Sequence, residues 1–428
     1  MEIMEIVRLV LSTYILFPFH FLFWGVVVLV YFQYRRVARI ETQLFGRPRH
    51  NVMTQTLVST VIGLAGGLLA SALLVFFGIS LLEIGIIFVW PVAILLLLIH
   101  PRYLCFAYAG GIVGAFAVLV NLLGEIWPAL TEGFLAPVAG IHIPGLLALI
   151  GILHLTESFL IAVSGHYFPS PQYVKTDRGV VGGFSLQKFW PLPLVGLIAL
   201  TVPQAAANAA VAAQMPDWWP LLPSATAPEM GKVLMYQLLP IVAGLGYGDL
   251  AISLTPREKS RRSAVNLGLY SLILMVAAFL AFHLPSVMIF AALFSPLGHE
   301  FLITAGNKKE FGSRPIYQAP AAGVKVMDLF PDAPAAAAGL RPLDVITAIN
   351  GLWVNDSITF ANLFRMSGTD IELEIKRDSE FLSIRFVQKG DPGIILVPDR
   401  YTRTVMEVKH THFFTALSEK IRKIKARV

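Results

Sequence analysis

The sequence predicts a polytopic α-helical membrane bundle of about eight or nine spans, followed by a small α+β domain. Three observations predict it. Of 428 residues, 56% are hydrophobic and 14% charged, with a mean hydropathy of +0.69, which excludes an ordinary soluble enzyme. Apolar runs of membrane length recur up to residue 307. Beyond that point the solvent changes: residues 1–307 hold 15 Lys/Arg and 13 Asp/Glu, whereas the shorter stretch 308–428 holds 18 and 14.

A spanning helix needs about 20 mostly apolar residues. Nine stretches qualify, near residues 9–34, 55–79, 81–99, 104–126, 142–164, 190–213, 232–253, 264–282 and 284–305. The second and third are barely separated, and only His283 and Leu284 divide the last pair, which sets the range of eight to nine. The first run continues to Tyr34 and ends in Arg35 and Arg36 without a small-residue cleavage site, so it is expected to be a retained helix and not a signal peptide. Lys and Arg stay on the cytoplasmic side of short loops. Thirteen of the 15 basic residues of this region fall in alternate loops, at Arg35–Arg49, Arg102, Lys175–Lys188 and Arg257–Arg262. Those loops, and with them the C-terminal domain, are therefore expected to face the cytoplasm.

The domain at 308–395 reads as short strands and turns. Val324 and Val326 alternate with Lys325, as in a half-buried strand. Pro331-Asp332-Ala333-Pro334 makes a turn and helix start that Gly339 can end. Asp344 to Ile349 forms a strand closed by Asn350-Gly351, a type I′ hairpin dipeptide. Asp356 can cap a helix to about Met366, and two alternating strands follow at 371–376 and 381–387. The run GVKVMDLFPDAPAAAAGLRPLDVITAING, from Gly323 to Gly351, resembles bacterial PDZ domains. The resemblance covers about residues 315–390 and implies a partly open β-barrel with two helices. It also implies a peptide or protein partner, since PDZ domains bind extended peptides by adding a strand to a sheet edge. Candidate partner-binding positions are Gly323, Val324, Val326, Leu340, Asp344, Ile346, Asn350, Phe360 and Leu363. Two features depart from the pattern: Leu343 stands where a glycine is usual, and Tyr317-Gln318-Ala319-Pro320 replaces an apolar-Gly-apolar loop for a peptide carboxylate.

Catalytic motifs are missing from the sequence. A zinc protease needs His-Glu-x-x-His, and the nearest match, His299-Glu300-Phe301-Leu302-Ile303, lacks the second histidine. No Gly-x-Ser-x-Gly elbow exists either, so no enzyme, cofactor or catalytic residue is expected. The single cysteine, Cys105, lies in an apolar run, so no intramolecular disulfide and no cysteine-based zinc site is expected, and it reads as a small buried hydrophobe with no metal expected. No basic tract is interleaved with aromatics, which argues against nucleic acid. The candidate polar residues within the membrane are His154 and Glu157, three apart on one helix face, and Asp249, with Gln204 and Asn208 as partners. Such groups are costly in a bilayer and serve either function or helix association. Pro91, Pro203 and Pro240 with Gly244 are candidate helix breaks of the kind transporters use. Residues 396–428 form a basic tail in which Phe413, Leu417, Ile421, Ile424 and Val428 recur at helical spacing, suited to anionic lipid or to packing on the domain.

Many spans followed by one PDZ domain without protease residues resemble the MinJ family of cell-division topological determinants of Gram-positive bacteria. His154-Leu155-Thr156-Glu157-Ser158, the run from Gly182 to Pro193, and Gly246-Tyr247-Gly248-Asp249-Leu250-Ala251 are similar to stretches of that family. The resemblance implies a non-enzymatic membrane scaffold that links a curvature-localised DivIVA-like protein to MinC/MinD-like partners at septum and poles. Self-association is compatible with it. A transporter with a regulatory PDZ domain, or a non-catalytic relative of PDZ-containing intramembrane proteases, is the alternative.

Overall fold

The computed structural model describes residues 2–209, 215–223, 228, 230–388, 390–402 and 405. Almost all of the basic tail, and the side chain of Asn208, lie outside the described residues.

The expected first span is two helices, α1 (Glu2–Ile15) and α2 (Phe21–Phe45). Pro18 sits in the short turn Phe17–Phe19 between them, where it can donate no helical hydrogen bond. Next come α3 (Val52–Phe77), capped by the Asn51 side chain, and α4 (Ile86–Ile99). With 14 residues each, α1 and α4 reach only about 21 Å, short of a hydrocarbon core of about 30 Å. Beyond them run α5 (Phe106–Gly124), the single turns α6 (Ala129–Glu132) and α7 (Ala136–Ala139), and α8 (Ile143–Ser164). After a three-stranded sheet, α10 (Pro256–His283) and α11 (Met288–Gly312) complete the body. Among the described residues six helical segments are long and apolar enough to cross a membrane.

The sixth and seventh expected spans are not helices. They are β2 (Gly179–Pro203) and β3 (Lys232–Ala251), paired in unbroken antiparallel register from Phe184↔Ala251 to Pro203↔Lys232, with β1 (Ser170–Thr176) on the other side of β2. The turn α9 (Gln204–Ala209), which carries Gln204, follows β2 directly. Hydropathy cannot separate a buried strand from a helix. Local chemistry explains the choice: Pro191, Pro193, Pro203 and Pro240 would each break a helix at about 3 kcal/mol, and Gly196, Gly244, Gly246 and Gly248 weaken it further. Pro203, Pro240 and Gly244 are thus strand residues and not interruptions of a transport helix. Because the hairpin leaves and returns at one end, it replaces two spans without changing the end at which α10 begins.

A strand buried among apolar helices must satisfy its backbone. The edge of β2 turned away from β3 does so at four positions. Phe189 N–H donates to Tyr34 Oη at 3.2 Å, Val195 N–H to Ser71 Oγ at 2.8 Å and Ala199 N–H to Ser80 Oγ at 3.0 Å, while Leu197 O accepts from Leu81 N–H at 2.8 Å. Pro191 and Pro193, on the same edge by the two-residue repeat, have no N–H to satisfy. There α3 comes closest, through Gly63 and Gly67: a Cβ on either would lie 2.2 Å from Pro191 O or 2.0 Å from Pro193 O.

The C-terminal domain comprises β4 (Val324–Leu329), α12 (Pro334–Ala337), β5 (Val345–Ile349), β6 (Leu352–Trp353), α13 (Ser357–Met366), β7 (Asp370–Arg377), β8 (Glu380–Val387) and β9 (Ile394–Leu396). Its sheet order is β8-β7-β5-β4-β9, with β6 paired to β5.

Gly67→Ala and Gly63→Ala should each destabilise the detergent-solubilised protein by about 1–3 kcal/mol through forced separation of α3 from β2. Gly306→Ala, on α11 where a Cβ meets nothing within 4 Å, should instead raise the thermal unfolding midpoint, since alanine is the better helix former.

Candidate functional site

Several expected binding positions build the C-terminal domain instead of presenting a surface. Val324, Val326, Leu340, Ile346 and Phe360 are buried in its core, and Leu363 packs half-buried beside them. Gly323 turns the chain into β4 at φ +80°, where a Cβ would lie 2.6 Å from Ile346 O. Asp344 is buried and holds Arg377 in a fork, with Nε at 2.8 Å and Nη2 at 2.7 Å, while accepting from Arg341 N–H at 2.8 Å. Asn350 and Gly351 take positive φ in the β5–β6 hairpin, and Asn350 Oδ1 accepts from Glu372 N–H at 2.8 Å. These are folding roles: the buried strand residues point into the domain's own apolar core. Leu343 lies at φ +77°, which explains the usual glycine there: the left-handed region costs an L-residue about 1–2 kcal/mol.

The outer edge of β4 is taken by the chain itself. β9 pairs there as Val326↔Leu396 and Leu329↔Ile394, with Val397 N–H donating to Lys325 O and Phe330 N–H to Gly393 O, both at 2.9 Å. Tyr173 Oη, from the sheet of the membrane body, donates to Leu396 O at 3.0 Å.

The domain is seated on that body. Arg49, in the loop between α2 and α3, grips Asp328 at 2.8 and 2.9 Å, and Arg47 pairs with Asp332 at 2.7 Å while lying over the Phe330 ring. Gly182 N–H donates to Tyr317 O at 2.8 Å and Ile316 N–H to Ile252 O at 3.0 Å. Tyr317, Met327, Phe330 and Ile395 belong to the same apolar core as α5 and α8. Burial pushes the Asp328 carboxyl up to about 6 against the opposing pull of Arg49. Asp249, expected within a helix, ends β3 instead. It accepts from Ser263 Oγ at 2.6 Å and pairs with Lys259 Nζ at 3.2 Å; Lys259 also reaches Glu310 at 3.5 Å, and Glu310 accepts from the Ile252 and Ser253 N–H groups. This network ties the hairpin's end to α10 and α11.

His154 and Glu157 lie one turn apart on α8. His154 is buried and joins a cluster that sequence spacing does not reveal, in which Cys105, His154 and His299 bring one ligand atom each to within 4.8 Å of one another. Glu157 is half-buried one turn on and is not among them. The cluster's members come from the start of α5, the middle of α8 and the middle of α11, so no local pattern could have signalled it.

Leu343→Gly should stabilise the protein by about 1 kcal/mol, read as a higher unfolding midpoint, because Leu343 is 42% exposed and loses little packing. Arg49→Ala leaves Asp328 buried and unpaired, and should cost about 3 kcal/mol, seen as faster hydrogen exchange in β4 and β9. Asp328 has a folded pKa above its ordinary 3.8, so the folded state holds more protons between pH 3.8 and about 6, and this group's contribution to stability falls as pH rises through that window. Asp328→Asn should remove that part of the slope in a stability–pH profile.

A profile of the PDZ domain family matches residues 297–386, from the second half of α11 through β8. Along most of its length the chain is similar to the cell division topological determinant MinJ of Bacillus subtilis (strain 168), 26% identical over 369 residues that cover 84% of this chain and 86% of that protein. The chain thus carries a PDZ domain behind a body of membrane-length helices, in an arrangement similar to that of MinJ over both parts.

Proposed function

We propose that the protein is a membrane-held PDZ adaptor, and not an enzyme, that gathers protein partners at the cytoplasmic face during placement of the division site. The observation that carries this reading is the reach of the MinJ similarity, which covers 84% of the chain and so includes the membrane body as well as the PDZ domain. Placement on the cytoplasmic side is supported by the seat itself. The PDZ domain rests on the Arg47–Arg49 loop, and Arg178 donates to the carbonyls of Gly312 and Ser313; both contacts belong to the basic loops that are retained in the cytoplasm. DivIVA-like and MinC/MinD-like proteins are the partners that the family resemblance implies.

A seated PDZ domain works differently from a tethered one. Held against the bilayer, it is confined to a thin layer, which raises its effective concentration for other membrane-bound proteins, so modest affinity suffices. With the β4 edge occupied by β9, recruitment falls to the exposed parts of the domain, α13 and the free edge of β8, where Met366 and Phe381 are 83% and 70% exposed.

A C-terminal green fluorescent fusion expressed at native level should form bright bands at septa and poles of dividing cells. Uniform membrane fluorescence would overturn the division role, and a dark but inserted fusion would overturn the cytoplasmic placement. Deletion of residues 315–390 should disperse the bands while the protein remains in the membrane fraction.

A further inference from the structure

The cluster within the membrane body points beyond scaffolding. We infer that Cys105, His154 and His299 form a site for a borderline-to-soft transition-metal cation, of which zinc and copper(I) are the chemical representatives. One thiolate and two imidazoles are the donor set such ions prefer. With metal–sulfur bonds of about 2.3 Å and metal–nitrogen bonds of about 2.0–2.1 Å, tetrahedral or trigonal geometry sets the sulfur and nitrogen donors about 3.6–3.8 Å apart. Here Cys105 Sγ lies 3.1 Å from His154 Nε2 and 3.9 Å from His299 Nε2, a spread about that value which small side-chain adjustments close.

The surroundings are those of a built site. His154 Nδ1 lies 2.8 Å from Ile150 O; a carbonyl only accepts, so Nδ1 carries the proton and the Nε2 lone pair faces the sulfur, the usual orienting arrangement of a metal-bound histidine. His299 is held between the Tyr108 and Tyr270 rings at 5.2 and 5.8 Å. Those walls are themselves pinned, Tyr270 Oη donating to Ser295 O at 2.7 Å and Tyr108 Oη to Glu300 Oε2 at 2.6 Å, while Glu300 also pairs with Arg102. A simple thiol–imidazole hydrogen bond would occupy one histidine. The second imidazole turns its own Nε2 toward the same sulfur, so three donor atoms converge where a thiol–imidazole hydrogen bond needs two, and a cation among them accounts for the convergence. Three protein donors leave a fourth position for water or another ligand. Binding would clamp α5, α8 and α11 together, and α11 leads directly into the PDZ domain.

The test uses the full chain, purified in detergent without a histidine tag. Elemental analysis should find about one equivalent of zinc or copper per chain, lost in Cys105→Ser and in His299→Gln. Titration of chelator-stripped protein with Co²⁺ should produce an intense near-ultraviolet thiolate-to-cobalt band in the wild type and none in Cys105→Ser. Should a variant fail to fold, the wild type alone decides the matter: Cys105 should react slowly with a maleimide until a chelator is added, and the chelator should lower the unfolding midpoint. Metal retained equally by Cys105→Ser, or no cobalt band together with a maleimide rate unmoved by chelator, would overturn the site.

Discussion

The structure depends on the satisfaction of one buried strand edge. β2 runs among apolar helices that offer it no water, so each outward N–H and C=O must find a partner or be absent. Tyr34, Ser71 and Ser80 supply hydrogen bonds at 2.8–3.2 Å, and two prolines remove donors where the α3 glycines press against the strand. Once β2 is held in this way, β3 pairs along its other edge and β1 folds back beside it. The sheet then offers the surface on which the PDZ domain sits. Tyr34, Ser71 and Ser80 are thereby explained as partners of backbone.

That surface changes what the PDZ domain can do. Arg49 and Asp328 meet across 279 residues of chain and Arg47 and Asp332 across 285, and the apolar contacts beneath them merge the two parts into one core. A carboxylate taken this far from water is stable only with its guanidinium present, so the joint is specific in its pairing and direction. Strand addition, the usual mode of a PDZ domain, is pre-empted on β4 by β9, whose own outer face meets Tyr173.

Ionisable groups are sorted by the same economy of water. Near the end of β3, Asp249 and Glu310 share Lys259 and accept from backbone amides. Deeper in the helices, Cys105, His154 and His299 converge on each other from three separate helices. Such residues are expensive among apolar neighbours and persist where they are paired or bind something.

Much of the protein was determined by the sequence alone. Composition and run length gave the membrane class, and the Gly323–Gly351 pattern gave the PDZ domain, because turn glycines, caps and alternating strands are local signals. Leu343 already departed from the usual glycine, whereas run length gave one first span where the structure has two helices divided at Pro18. Prolines and glycines in two apolar stretches disfavour helices locally, but tertiary structure alone decided that the stretches pair with each other as a hairpin, since apolar runs of this length carry no periodicity that names a partner. It also decided that β9 closes β4, that two loop arginines seat the PDZ domain, and that a cysteine meets histidines 49 and 194 positions away. Each of these is a contact between residues remote in the chain, and such contacts leave no trace in local composition because only the packed fold brings their atoms within bonding distance.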